Sequence, residues 1–172
     1  IRMFQSGQPI CDTMIVNSLN YAFTNGADVI NCSWGTESNI GSLYTNVLED
    51  AIDQALTRGR SNKGTVVVFS SGNEASSEEI LSYPANCDDR ILTVGAIDQV
   101  GLRAPFSGYG DKLDVVAPGI NIYSTINGNM VDYMTGTSMA APHVSGVVAL
   151  MIAANPYLTR EEIEWIIEQS AR

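Results

Sequence analysis

Three consecutive valines and a phenylalanine, Val66-Val67-Val68-Phe69 after Thr65, constrain this chain more than any other feature. β-Branched and aromatic residues in a short unbroken run favour a buried strand. The flanking sequence agrees. Apolar residues at Met14, Ile15, Leu19, Ala22 and Phe23 follow a helical spacing. Asp12 or Thr13 can cap that helix, and Asn25-Gly26 stops it. Ala27 to Trp34 reads as a second buried strand, ending at Gly35. An amphipathic helix follows from about Tyr44 to Arg58, with Val47, Leu48, Ala51, Ile52, Ala55 and Leu56 on one face and Gly59 at its end. Helices alternating with strands imply parallel βαβ units with right-handed crossovers. The expected fold class is α/β, with three layers (α/β/α) around a mostly parallel twisted sheet.

The rest fits one domain over residues 1–172, without linker or repeat. Ile1 to Gln5 reads as a short strand, and Ile91 to Ile97 as another. Leu113 to Ala117 and Asn121 to Ile126 are separated by Pro118-Gly119. Asn127-Gly128 is a hairpin signal, so Met130 to Met134 pairs back. Thr159-x-x-Glu162 is a capping box opening a last helix, with Ile163, Ile166 and Ile167 inward.

Composition narrows the function. Hydrophobic residues make up 45% and charged residues 16%, which excludes a disordered chain. A net charge of -10 argues against a nucleic-acid partner. The longest apolar stretch, Val147 to Ala154, is too short to span a bilayer, so no membrane partner is expected. The chain opens at Ile1 rather than Met, so its native start is expected upstream. Cys11, Cys32 and Cys87 have no metal-binding spacing. They read as buried or half-buried thiols, with one disulfide plus a free thiol as the other arrangement.

The chemistry centres on Gly136-Thr137-Ser138-Met139-Ala140-Ala141-Pro142-His143-Val144-Ser145-Gly146. Ser138 opens an apolar helix, where backbone N–H groups lack partners and the helix dipole favours negative charge. Both stabilise an oxyanion beside the hydroxyl. Pro142 is placed in the first turn, where its missing N–H costs little. Asn73 follows the valine strand through Ser71-Gly72, so its amide can project from the strand end. Ser33-Trp34-Gly35 ends the preceding strand, and such carboxyl ends are where open α/β sheets place their chemistry. Singly, Ser138 reads as a capping serine, Asn73 as a turn residue and Trp34 as core.

Together these strings resemble the subtilisin-like serine proteases, or subtilases. Gly-Thr-Ser-Met-Ala-x-Pro-His-Val-x-Gly resembles the family's nucleophile motif, and Val-Val-Val-Phe-Ser-Ser-Gly-Asn-Glu its strand ending in Gly-Asn. Tyr83-Pro84-Ala85, Phe106-Ser107-x-x-Gly110 and Asp114 to Gly119 extend the resemblance as scaffold. It implies a serine endopeptidase that forms an acyl-enzyme on Ser138. Asn73 then supplies the side-chain donor of an oxyanion hole, and the Ser138 N–H the second. Ser33, Trp34, Gly35, Ser71 and Gly72 become substrate-binding residues that pair with an extended peptide backbone.

One requirement is missing. A serine nucleophile needs a base, normally histidine, oriented by a carboxylate. The family's Asp-[Ser/Thr]-Gly strand end and His-Gly-Thr-His helix start are absent. The only histidine, His143, lies five residues after Ser138 within the nucleophile motif and reads as structural. The expectation is the C-terminal part of a subtilase catalytic domain, active in the full-length protein and nearly inert alone. The alternative is a degenerate, non-catalytic subtilase-like domain that binds peptides or is structural. Polypeptide substrates are the expected partners, and an exposed sheet edge would favour self-association of the truncated fragment. The acidic pairs Asp88-Asp89 and Glu78-Glu79 lack ligand spacing, so no metal is assigned. The resemblance leaves calcium open for the full-length protein and implies a secreted or extracytoplasmic location.

Overall fold

The computed structural model describes residues 12–36, 46–75 and 80–171. The expected Ile1–Gln5 strand, Cys11 and the Glu78-Glu79 pair lie outside them. Ten elements follow in order: α1 (Asp12–Thr24), β1 (Val29–Cys32), α2 (Asn46–Asn62), β2 (Val66–Ser70), β3 (Leu92–Ile97), β4 (Val115–Pro118), β5 (Ile122–Ile126), β6 (Met130–Met134), α3 (Thr137–Ala154) and α4 (Arg160–Ser170).

β1 to β4 form one sheet in chain order, every pair parallel. β2 shows why three layers result. Its side chains alternate, with Val66 and Val68 in one core and Val67 and Phe69 in the other. All four are fully buried. The Val67–Phe69 side carries Ile15 and Leu19 of α1 and Leu48 and Ile52 of α2. The Val66–Val68 side carries Val144 and Val148 of α3 and Ile163 and Ile167 of α4. The α/β fold with a parallel sheet and flanking helices is therefore present. β5 and β6 form a separate antiparallel hairpin around Asn127-Gly128, with Gly128 at φ 84°.

Three local expectations change. β1 is shorter than Ala27 to Trp34: the regular ladder runs from Val29 to Cys32, although Val66 N still donates to Asp28 O at 3.1 Å. Asp28 pairs with the buried Arg60 at 3.1 Å, and Ser33 turns toward α3. α2 carries on past Arg58 but breaks at Gly59, where ψ is 161°, and Arg60 to Asn62 are left-handed. Any Cβ at Gly59 would sit 1.9 Å from Thr65 Oγ1 and 2.8 Å from Thr65 N, so only glycine lets the chain turn back into β2 there. α3 begins at Thr137, which puts Pro142 in its second turn rather than its first. α3 is also long and apolar enough to cross a membrane by length and composition, unlike the shorter Val147 to Ala154 stretch. Here it packs against all four sheet strands, with Val147 and Leu150 exposed on its outer face. The last helix starts at the expected box: Glu162 N donates to Thr159 Oγ1, and Thr159 N to Glu162 Oε2. Ile163 and Ile167 are buried, while Ile166 is half-buried.

Two carboxyls between α4 and β4 tie stability to pH. Glu164 bonds to Arg160, yet its Oε1 is buried without a hydrogen-bond partner among the described residues. Burial, opposed by Arg160 and aided by Asp114 and Glu168, pushes Glu164 up to about 7. Burial likewise pushes Asp114 up to about 6, although Thr93 N donates to its Oδ2 at 2.6 Å. The folded chain therefore holds protons that the unfolded chain, with ordinary carboxyls, has released. These groups favour folding most at low pH, and their contribution is lost as pH rises from about 4 through 7. The melting temperature is expected to be higher at pH 5 than at pH 8, and Glu164→Gln should flatten the difference. An unchanged slope in thermal melts of Glu164→Gln would rule this out.

Candidate active site

Because β1 and β2 are parallel, Ser33-Trp34-Gly35 and Ser71-Gly72-Asn73 leave the sheet at the same end. The N-terminus of α3 meets them there. Asn73 Oδ1 accepts from Thr137 N and from Thr137 Oγ1, both at 2.9 Å. A side chain from the β2 loop thus caps the first N–H of α3, whose own N-cap, Gly136, supplies no side-chain bond. With Oδ1 committed to the helix, Nδ2 is the free half of the amide. Neither Asn73 Nδ2 nor the Ser138 N–H has a hydrogen-bond partner among the described residues. A Cβ on Gly136 would lie 3.6 Å from Asn73 Nδ2, so that amide borders the turn into Ser138.

Ser138 is tied to the end of β1 in both directions. Ser138 Oγ donates to Ser33 O at 3.3 Å, and Ser33 Oγ donates to Ser138 O at 2.9 Å. The second bond explains how Pro142 is accommodated. A residue at position 142 would normally donate its N–H to the carbonyl of Ser138, and proline has no N–H. The Ser33 hydroxyl fills that vacancy.

The substrate-binding residues inferred from sequence separate into two groups. Ser33, Gly35 and Gly72 face the site end. A Cβ on Gly72 would meet Ser82 Oγ at 2.0 Å, and one on Gly35 would meet Ser82 Cβ and Tyr83 O at 3.0 Å. Gly72 also has φ 101°. Ser71 acts through its backbone, accepting from Ser82 N and donating to Val94 O, each at 2.9 Å. Trp34 turns the other way. Its ring packs edge-on against Phe69, centroids 5.1 Å apart, in the core beneath α1 and α2.

Ser82 and Glu74 were missed in the sequence. Ser82 closes on both glycines, and its Oγ lies 3.4 Å from Glu74 Oε2, which also accepts from Asn73 N at 2.8 Å. The only signal was Tyr83-Pro84-Ala85, read as scaffold; it forms a cis Tyr83–Pro84 bend that pairs with Thr36.

His143 is exposed, and its Nδ1 lies 2.8 Å from Met139 O, one turn back on α3. It lines the same cleft of about 300 Å³ as Ser138, between α3 and the β5–β6 hairpin, but no hydrogen bond joins the two. The site therefore contains a hydroxyl and two free donors, with no base on the hydroxyl among the described residues. Among the described residues, no thiol competes as nucleophile there. Cys32 is buried and Cys87 half-buried, both unpaired. Burial, with Glu49 and Asp88 nearby, pushes Cys87 up to about 12, so it is protonated at neutral pH.

Among the described residues, no group of three or more His, Cys, Asp or Glu side chains could hold a metal ion. Asp88 is bonded to Arg90 at 2.6 Å and Asp89 to Lys112 at 2.7 Å, so cations of the chain already occupy that acidic pair.

Comparison with known proteins gives this arrangement its family. The Subtilase family model matches residues 1–172. A thermophilic serine proteinase of Bacillus sp. (strain AK1) is 44% identical over 159 residues, covering 91% of this chain and 35% of that protein. Subtilisin DY of Bacillus licheniformis is 39% identical, covering 87% of this chain and 51% of that one. Among solved structures, the prenylagaramide maturation protease PagA superposes with a TM-score of 0.84 at 27% identity, over 99% of this chain and 62% of that one. The chain belongs to the subtilase family. It spans about a third to a half of the length of these curated relatives.

Proposed function

We propose that Ser138 is the nucleophile of a serine endopeptidase. Its Oγ attacks the carbonyl of an extended peptide bound along Ser33–Gly35 and Ser71–Gly72. The resulting tetrahedral intermediate breaks its C–N bond to release the amine product and leave an acyl-enzyme on Ser138, which water then hydrolyses to the acid. Asn73 Nδ2 and the Ser138 N–H receive the oxyanion of each tetrahedral intermediate. One observation carries the reading most strongly. Asn73 Oδ1 is held by Thr137 at 2.9 Å, which leaves its N–H₂ group free beside the free N–H of Ser138. Serine proteases among the relatives add support.

The imidazole and its orienting carboxylate are assigned to residues of a longer protein, outside these 172. Base assistance is worth about 10²–10⁴-fold, so the chain alone is nearly inert. By the same resemblance the longer protein works outside the cytoplasm. The chain alone is also read as self-associating, through sheet edge and apolar surface that the longer protein would cover; a clean monomer in sedimentation at high concentration would overturn this.

Fluorophosphonate labelling tests the assignment. In the full-length protein the label is expected on Ser138, located by peptide mass, together with hydrolysis of a denatured protein substrate. Labelling elsewhere would overturn it. No labelling and no hydrolysis would favour the non-catalytic peptide-binding domain, the reading suggested by the missing base.

A further inference from the structure

We propose that Asn31 and Ser145 are positioning residues for the nucleophile, joined to it through Ser33; this rests on Ser138 being that nucleophile. The starting point is the gap left by Pro142. The Ser138 carbonyl has lost its helical donor, and Ser33 Oγ replaces it at 2.9 Å. A serine hydroxyl has a single proton and rotates freely, so some other group must aim it. Asn31 does so: its Nδ2 donates to Ser33 Oγ at 2.9 Å. With that lone pair taken by an N–H, the Ser33 proton is left to point at Ser138.

The Asn31 amide is oriented in turn. Ser145 Oγ lies 2.9 Å from Asn31 Oδ1 and 3.1 Å from Ala141 O, and its single proton, directed at the nearer oxygen, sets the amide with Oδ1 toward Ser145. If the amide were reversed, Oδ1 would face Ser33 and draw the Ser33 proton away from Ser138. The chain of donors therefore runs one way, from the Ser145 hydroxyl to the Asn31 carbonyl, from the Asn31 amide to the Ser33 hydroxyl, and from there to the Ser138 carbonyl. Ser138 Oγ closes the loop on Ser33 O.

The fold places these residues without special geometry. Along β1, Val29 faces the α3 core and Cys32 the opposite core, so Asn31 faces α3. Ser145 follows Ser138 by seven residues, about two turns, and so lies on the same helix face. One strand face and one helix face thus meet over four side chains. The consequence is local. The first turn of α3 keeps its hold at the residue whose N–H and Oγ must converge on one substrate carbon. A loosened turn would misplace both in the transition state while leaving the peptide-binding backbone intact.

The test uses steady-state kinetics of the full-length protein on a peptide substrate, normalised to active-site titre. Asn31→Ala is expected to lower kcat about tenfold, the worth of one lost hydrogen bond, with KM within about twofold. Ser145→Ala should lower kcat by about two- to threefold, and Ser145→Thr, which keeps the hydroxyl, should restore it. In a Ser33→Ala background, Asn31→Ala should have no further effect, because it acts only through that hydroxyl. Additive losses, or a raised KM with unchanged kcat, would overturn the proposal. If Asn31→Ala folds poorly, the Ser145→Ala and Ser145→Thr pair decides alone. A Ser138→Ala protein that stays active overturns both this inference and the assigned nucleophile. An inactive Ser138→Ala beside a fully active Asn31→Ala overturns the network only.

Discussion

Ser138→Ala in the full-length protein is expected to abolish peptide hydrolysis and fluorophosphonate labelling while leaving the fold intact. In subtilisin itself the equivalent loss is about 2 × 10⁶ in kcat, a value measured there and used here only as a scale. The structural cost should be small. Ser138 is half-buried in the first turn of α3, and alanine suits a helix. The bond from Ser33 Oγ survives, because it ends on the Ser138 carbonyl rather than on the side chain. What disappears is one weak donor to Ser33 O at 3.3 Å. Equal melting temperatures with loss of turnover would separate chemistry from stability. Retained turnover in Ser138→Ala would end the endopeptidase proposal.

The layers of this fold are legible in β2 alone. Val66 to Phe69 is apolar at every position, so both faces of the strand need a helical cover, and α1, α2, α3 and α4 provide it. The hairpin and the capping box were equally local, written in Asn127-Gly128 and Thr159-x-x-Glu162. What the sequence concealed depends on distant pairs. Arg60 reaches back to Asp28 across the β1–β2 unit, and the Ser33 bond that accommodates Pro142 joins β1 to α3. Neither partner is recognisable from its own neighbours in the chain.

The candidate site divides along the same line. Ser138 and Asn73 stood out because each lies in a distinctive string. Thr137, Ser82 and Glu74 did not, since a threonine at a helix start and a serine before Tyr-Pro look ordinary until a glycine brings a backbone against them. Trp34 places only its backbone beside the site. It neighbours Ser33, but strand alternation sends successive side chains to opposite faces, so it packs on Phe69. The general base was not hidden by folding. His143 spends Nδ1 on Met139 O, and no other imidazole exists in the sequence.

Asn73→Ala is expected to lower kcat by about 10²–10³ with little change in KM, since an oxyanion forms only after binding. That range comes from subtilisin and sets the scale rather than being worked out for this chain. Alanine alone cannot isolate the effect, because Asn73 has two jobs. Its Oδ1 caps Thr137, and losing a cap costs about 0.5–2 kcal/mol of stability. Asn73→Asp separates them. A carboxylate keeps an oxygen for the Thr137 N–H and suits the positive end of the α3 dipole, so stability should hold. It also replaces the free N–H₂ with an acceptor, which repels the developing negative charge. Asn73→Asp should therefore melt like the parent yet be at least as slow as Asn73→Ala. If Asn73→Asp were instead as active as the parent, the residue would be a helix cap only, and the oxyanion would have to be held by the Ser138 N–H without it.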